Sequence, residues 1–331
     1  MRHRPFRVDD FIRCVPLLPA GFKASPRVRE ALLSIWARLL DEGQLLGGVV
    51  VDPESSRTDA VVAFGMSAFV EDAFMDDYLR RPQPYISAIV YERILSGRSP
   101  LLPVGAIASA NRAGSLSLLI LHFGIRLSDP PTSYELAVIA KAHTGFRLSH
   151  EGYHLRRVVQ EVYGPAQIPF MLAGGFRLEN DFPGIDAEHA PAPPKPEEWP
   201  YLMAVEASDP GVRLPGSATS YLFQRLTPRF GFAPAEQRVL IRTLMDETDE
   251  SIASALGISR DAVKKTWRRI YQRVAAVDPA LLDGQAETGG SDDAGSREKR
   301  HRLIGYLRYH LEELRPFKEG VHRDRRSMAR R

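Results

Sequence analysis

The chain has 331 residues, 44% of them hydrophobic and 26% charged, and a formal charge of +3. That length suits two domains of ordinary soluble composition. The single cysteine, Cys14, excludes an internal disulfide framework. The N-terminal stretch MRHRPFRVDDF meets charge before an apolar core develops, so it does not read as a signal peptide, and the longest apolar run, residues 116–125, is too short to span a bilayer. A cytoplasmic protein with no membrane partner is expected.

In chain order, residues 6–15 read as a first strand. Residues 26–41 read as an amphipathic helix with Val28, Leu32, Ile35, Trp36 and Leu39 on one side. The turn signal Asp52-Pro53-Glu54-Ser55 separates two Val- and Phe-rich runs, residues 45–51 and 60–70, which predicts an antiparallel pair. Residues 71–80 and 85–95 look helical, and 116–125 is the clearest strand. Residues 134–144 and 153–163 look helical, and 170–178 closes the sheet. Phe64, Phe69, Phe74, Tyr78 and Tyr85 read as core before they read as a ligand pocket. Cys14 lies in an apolar run and reads as a buried, inert thiol. The expected fold class is an α+β, sensor-like N-terminal domain over residues 1–182, followed by an all-α helix-turn-helix domain.

A proline-rich stretch follows, PGIDAEHAPAPPKPEEWP over residues 183–200, which favours an extended spacer. The linker is expected to run over residues 183–219, with a short strand or docked segment at 201–207. The DNA-binding domain is expected over residues 220–280, with 220–226 as an added helix beneath it. Residues 281–296 are small, polar and acidic, a flexible linker. In residues 297–331, Leu303, Ile304, Leu307, Leu311 and Leu314 form an apolar helical seam before a basic tail. Residues 221–331 hold 22 Lys and Arg against 16 Asp and Glu, a net of +6, which leaves −3 for the rest. A basic C-terminal part joined to a mildly acidic remainder is the electrostatic footprint of a nucleic-acid-binding module attached to something else.

Within that basic part, three helical segments follow one another: residues 235–245, 250–256 and 259–274. Thr248 or Asp249 caps the second, Gly257 ends it, and Ser259 caps the third. Val263, Trp267, Ile270 and Val274 recur at the spacing of a buried stripe. Arg260, Lys264, Lys265, Arg268, Arg269 and Arg273 lie in other sectors of the same helix. A short helix, a glycine turn and a basic, half-buried second helix make the helix-turn-helix plan. Lys264 and Arg268 are the candidates for base-edge contact, while Lys265, Arg269 and Arg273 are assigned to phosphates.

From Phe232 to Val274 the residues resemble the LuxR/GerE-type helix-turn-helix. The resemblance is carried by Ala233-Pro234-Ala235-Glu236, Val239-Leu240, Ile252-Ala253, Leu256, Ile258-Ser259, Val263-Lys264 and Ile270. The chain departs from that family at Asp246, where the family has glycine, and at Ser251, Ala262 and Thr266. Region 4 of sigma factors uses a similar helical plan. The resemblance implies a regulator that binds double-stranded DNA as a homodimer, the seam at 297–314 dimerising or packing on the helix-turn-helix.

The N-terminal segment order is similar to the GNAT acetyltransferase plan, with PAS- and GAF-like domains as competing shapes. An enzyme of the GNAT family presents a glycine-rich loop after the central strand, whose backbone amides hold the pyrophosphate of acetyl-CoA. Here Arg126-Leu127-Ser128-Asp129-Pro130-Pro131-Thr132 stands in that place. The expectation is therefore no enzyme, no cofactor and no metal, although His143, His150 and His154 cluster in sequence. The reading is a DNA-binding transcriptional regulator whose N-terminal domain senses a small-molecule effector or a partner, with RNA polymerase as a further candidate partner. The alternatives are a GNAT-like acyltransferase fused to a DNA-binding module, and a sigma-like polymerase subunit.

Overall fold

In the computed structural model, the described residues are 1–54, 60–128, 130–183, 185, 194–213, 218–283 and 292–316. The chain divides into two compact units, Met1–Gln224 and Arg225–Arg331. Much of the predicted proline-rich spacer, the acidic linker and the basic tail lie outside the described residues.

The first unit is a seven-stranded mixed sheet carrying helices. Its elements are β1 (Arg2–Pro5), α1 (Phe11–Cys14), α2 (Pro26–Asp41), β2 (Leu46–Asp52), β3 (Ala60–Val70), α3 (Asp72–Arg80), α4 (Ile86–Leu95) and α5 (Val104–Ala113). Then come β4 (Leu116–Ile125), α6 (Ser133–His150), β5 (Leu155–Tyr163), α7 (Gln167–Ala173), β6 (Arg177–Asn180) and β7 (Pro200–Glu206). The strand order is β1-β2-β3-β4-β5-β7-β6, and every neighbouring pair is antiparallel except β4–β5. A parallel pair needs a crossover, and α6 supplies it.

Alternate residues of the central strands feed two cores. Leu119, Leu121 and Val159 join Trp36, Leu39, Phe64, Val90 and Tyr91 on one face. Leu118, Ile120, Val158 and Val205 join Tyr153 and Leu222 on the other. The Trp36 indole donates to the Tyr91 hydroxyl at 2.9 Å, which ties α2 to α4. Gly47, at φ 115°, sits where an added Cβ would lie 2.1 Å from the Gly65 carbonyl oxygen, so close strand packing explains that glycine.

Several sequence expectations are corrected. The first strand is Arg2–Pro5, because the Arg4 guanidinium bonds Asp10 at 2.7 and 2.8 Å and Asp10 accepts from the Arg7 amide, which coils residues 8–17 into helical turns. Residues 155–163 are a strand, not a helix: Leu155, Val158, Val159 and Val162 fall at helical spacing, but the segment pairs with both β4 and β7. Residues 170–178 divide between α7 and the edge strand β6.

The boundary at 182 is also corrected. Residues 200–206 form β7, which pairs with both β5 and β6, and the 3-10 turn Ser220–Phe223 buries Leu222 in this unit rather than beneath the second one. The helix α5 has no counterpart among the elements expected from sequence.

The second unit contains α8 (Pro234–Leu244), α9 (Asp249–Leu256), α10 (Arg260–Val277), α11 (Asp292–Leu307) and a 3-10 turn at Leu311–Leu314. The seam residues Leu303, Leu307, Leu311 and Leu314 are fully buried inside this unit. Glu313 is buried as well, and its carboxylate accepts from the Arg229 and Phe230 amides at 2.9 and 3.0 Å, binding the C-terminal segment to the start of the unit. No helix among the described residues is long and apolar enough to cross a membrane.

Candidate functional site

Two places concentrate chemistry, one in each unit. In the second unit the α9–turn–α10 corner is built by local rules. Asp246, at φ 60°, is left-handed, at the position where the LuxR/GerE-type pattern carries glycine. Thr248 caps α9 by accepting from the Ser251 amide at 3.2 Å. Gly257, at φ 62°, turns the chain, and the Ile258 amide bonds the Ala253 carbonyl at 3.0 Å. Ser259 then caps α10 by accepting from the Ala262 amide at 3.1 Å. Ile252, Val263, Trp267, Ile270 and Val274 are buried, whereas Leu256 is half-buried and Ile258 is 39% exposed.

The six basic residues assigned to DNA fall into distinct situations. Lys264, Lys265 and Arg268 are exposed and make no ion pair among the described residues. Arg260 pairs with Glu250 at 2.9 Å, both largely exposed, an arrangement that solvent makes weak. Arg269 donates to the Thr266 hydroxyl at 3.2 Å. Arg273 is committed inside the unit: its guanidinium bonds the buried Glu236 at 3.0 Å, and Glu236 also accepts from the Ala233 amide. Two further residues escaped the sequence reading. Arg238 on α8 lines the same groove as Lys265, Arg268 and Arg269. Arg300 on α11 stacks over Trp267 at 4.5 Å and bonds Asp249 at 2.9 Å, bracing the start of α9 and the back of α10.

In the first unit the parallel strands β4 and β5 part company. They pair from Leu116↔Leu155 to Ile120↔Gln160. Beyond that, β4 continues against β3 to Ala63↔Ile125, while β5 continues against β7 to Tyr163↔Pro200. The N-terminal turn of α4 enters this split: Ser87 donates to the Leu121 carbonyl at 2.7 Å, and the Tyr85 amide donates to Glu161 at 2.6 Å. Tyr85 holds φ 69°, a strained state for an aromatic residue. Its hydroxyl is buried without a hydrogen-bond partner among the described residues.

Glu161 is the centre of this cluster. It is 8% exposed and accepts from the Tyr163 hydroxyl at 2.6 Å. Burial raises its carboxyl to about 7, against the pull of the Tyr163 hydroxyl and the Tyr85 and Ile86 amides. The hydroxyls of Tyr163 and Tyr78 are pushed up, first by burial and next by the nearby Glu161. A buried carboxyl titrating near neutrality beside tyrosine hydroxyls can take up and return a proton. His122, on β4 in the same core, is pushed down to about 3 by burial among Phe22, Trp36 and Tyr91, so it is neutral there. No motif in the sequence marks Glu161, because its setting comes from α4 and β7.

In the turn from β4 to α6, Ser128 and Thr132 both bond to Glu135. Glu135 accepts from the Ser128 amide at 2.9 Å and hydroxyl at 2.6 Å, and from the Thr132 amide at 2.7 Å and hydroxyl at 2.9 Å. These bonds hold its carboxyl down at about 2. Pro130 and Pro131 have no amide hydrogen to offer. The residues present therefore do not fit the pyrophosphate of a coenzyme A at this turn.

Of the remaining sequence candidates, Cys14 is fully buried, with its thiol pushed up to about 12 chiefly by burial. His150 lies with Nε2 2.6 Å from the Ser67 hydroxyl and Nδ1 2.7 Å from the Phe146 carbonyl. No group of three or more metal-ligating side chains occurs among the described residues.

Compared with known proteins, the chain matches no family model and no curated protein. Among solved structures it is similar to a GNAT-like decarboxylase, GphF, in complex with isobutyryl-CoA, at 15% identity and a TM-score of 0.36, over 62% of this chain and 99% of that one. It is similar to a mutant agmatine N-acetyltransferase in its apo form at 14% identity and a TM-score of 0.32, over 62% of this chain and 98% of that one. A third is a Drosophila melanogaster polyamine N-acetyltransferase that forms N-acetylagmatine, at 12% identity and a TM-score of 0.31, over 62% and 98%. The first unit is itself a mixed α/β sheet domain. The printed names of these structures, a decarboxylase and two N-acetyltransferases, run against the expectation that the chain is not an enzyme.

Proposed function

We propose that the chain joins an enzyme unit of GNAT-like plan to a helix-turn-helix unit that reads double-stranded DNA. The observation that carries the DNA half is the α9–Gly257–α10 corner. Its caps and buried stripe fix α10, while Lys264, Lys265 and Arg268 remain exposed on the outer side. In this reading α10 enters the major groove, Lys264 and Arg268 meet base edges, and Lys265, Arg269 and Arg238 meet phosphates. Arg273 acts instead through Glu236, as a positioning residue. The enzyme half rests on Glu161, which takes a proton from the substrate as a general base and is supported by the Tyr163 hydroxyl.

The test is selection of genomic DNA fragments by the full-length protein and by the Lys264→Ala/Arg268→Ala variant at two salt concentrations. One recovered motif, lost in the variant, supports sequence-specific regulation of transcription. Binding with no motif that fades evenly with salt would reduce the second unit to electrostatic attachment. In parallel, release of thiol from acetyl thioesters in the presence of primary amines should fall by about 10²-fold or more in Glu161→Gln if the carboxylate is the base. Equal rates in the two proteins would remove Glu161 from that role.

A further inference from the structure

We infer that the first unit acts on ligands that bring no diphosphate, because Glu135 fills the turn where the coenzyme of a GNAT-like domain would set its pyrophosphate. The inference rests on the GNAT-like reading of the first unit and narrows its substrate class. A pyrophosphate is held by backbone N–H groups pointing at it from a loop and a helix start. Among the described residues of this turn, the Ser128 and Thr132 amides are already committed. The Ser128 and Thr132 amides donate to the Glu135 carboxylate, the Glu135 amide donates back to the Thr132 hydroxyl at 3.2 Å, and residues 130 and 131 are prolines. The carboxylate is ionised at any neutral pH, since its hydrogen bonds hold it at about 2. An incoming phosphate would therefore meet a fixed negative charge where it needs donors.

The loop residues that produce this state form one local unit. Thr132 and Glu135 stand three residues apart as a reciprocal cap, and Ser128 closes back onto the same carboxylate through both its amide and its hydroxyl. The same arrangement that starts α6 well thus removes the anion site that a glycine-rich loop would leave open. A ligand of this unit is recognised by its acyl, pantetheine or small-molecule part alone.

The experiment compares CoA with pantetheine, and acetyl-CoA with S-acetylpantetheine, on the full-length protein by calorimetric titration and by thermal stabilisation. An open turn donating two charge-assisted hydrogen bonds would make the CoA forms bind roughly a hundredfold tighter. We expect the paired ligands to bind within about threefold of each other, or CoA to show no binding at millimolar concentration. CoA binding tenfold or more tighter than pantetheine would overturn the inference. The Glu135→Ala variant, checked for an unchanged far-ultraviolet spectrum, should raise the CoA-to-pantetheine ratio. A ratio unchanged in that variant would overturn the assignment of the closure to Glu135. Neither readout depends on DNA binding or on Glu161 turnover, so failure here and failure of the proposed function are separable.

Discussion

Replacing Glu161 with glutamine should change how the stability of the first unit depends on pH. The carboxyl is raised from 4.5 to about 7, with burial the leading cause. Between those values the folded chain holds a proton that the unfolded chain has released, so stability falls as pH rises across this window and is constant above it. The interval is worth about 3 kcal/mol at roughly 1.4 kcal/mol per pH unit. The glutamine of the variant cannot titrate, yet its amide oxygen can still accept from Tyr163 or Tyr85. Urea unfolding of the wild type and Glu161→Gln from about pH 4.5 to 8 should therefore show the wild type losing on the order of 3 kcal/mol relative to the variant.

His3 and His122 are lowered to about 4 and about 3, chiefly by burial, and act in the opposite direction, stabilising the fold as pH rises toward 6.5. They are common to both proteins, so the difference isolates Glu161. Trp36, fully buried in the first unit, reports its unfolding if Trp267 is changed to Phe in both backgrounds. Parallel stability-versus-pH curves for the two proteins would refute the claim that burial has raised this carboxyl.

Other perturbations separate roles within the second unit and test the core. Arg273→Ala should cost about 2 kcal/mol of stability by leaving Glu236 buried without its guanidinium, while the selected DNA motif is unchanged; a changed motif would return Arg273 to the base contacts. Gly257→Val should destabilise the second unit by roughly 1–2 kcal/mol, because φ 62° places a Cβ against the following carbonyl; chemical unfolding that matches the wild type would contradict that backbone argument. Arg300→Ala removes the stacking on Trp267 and the bond to Asp249 and should cost about 1 kcal/mol with a shift in Trp267 emission, measured in unfolding and fluorescence. Cys14 should resist alkylation in the native protein at pH 8 and react on denaturation; rapid native labelling would disprove its inert state.

What the sequence determined by itself were the elements whose signals are local. The helix 26–41 and the strand 116–125 lie at their predicted bounds, because a helical apolar stripe and a continuous apolar run bounded by turn residues need no distant partner to be read. The caps Thr248 and Ser259 and the turn at Gly257 are equally local. The tertiary structure decided what depends on neighbours. β5 reads as a helix in the sequence because Leu155, Val158, Val159 and Val162 fall at helical spacing, and β7 falls beyond a predicted boundary because a strand inserted between β5 and β6 can follow a proline-rich stretch. Arg273 carries the same charge as Arg268, yet only packing puts Glu236 beneath it. Glu161 has an ordinary carboxylate's sequence surroundings. It becomes a titrating centre only where β4 and β5 separate and the start of α4 fills the split, because burial and distant hydrogen bonds set a pKa.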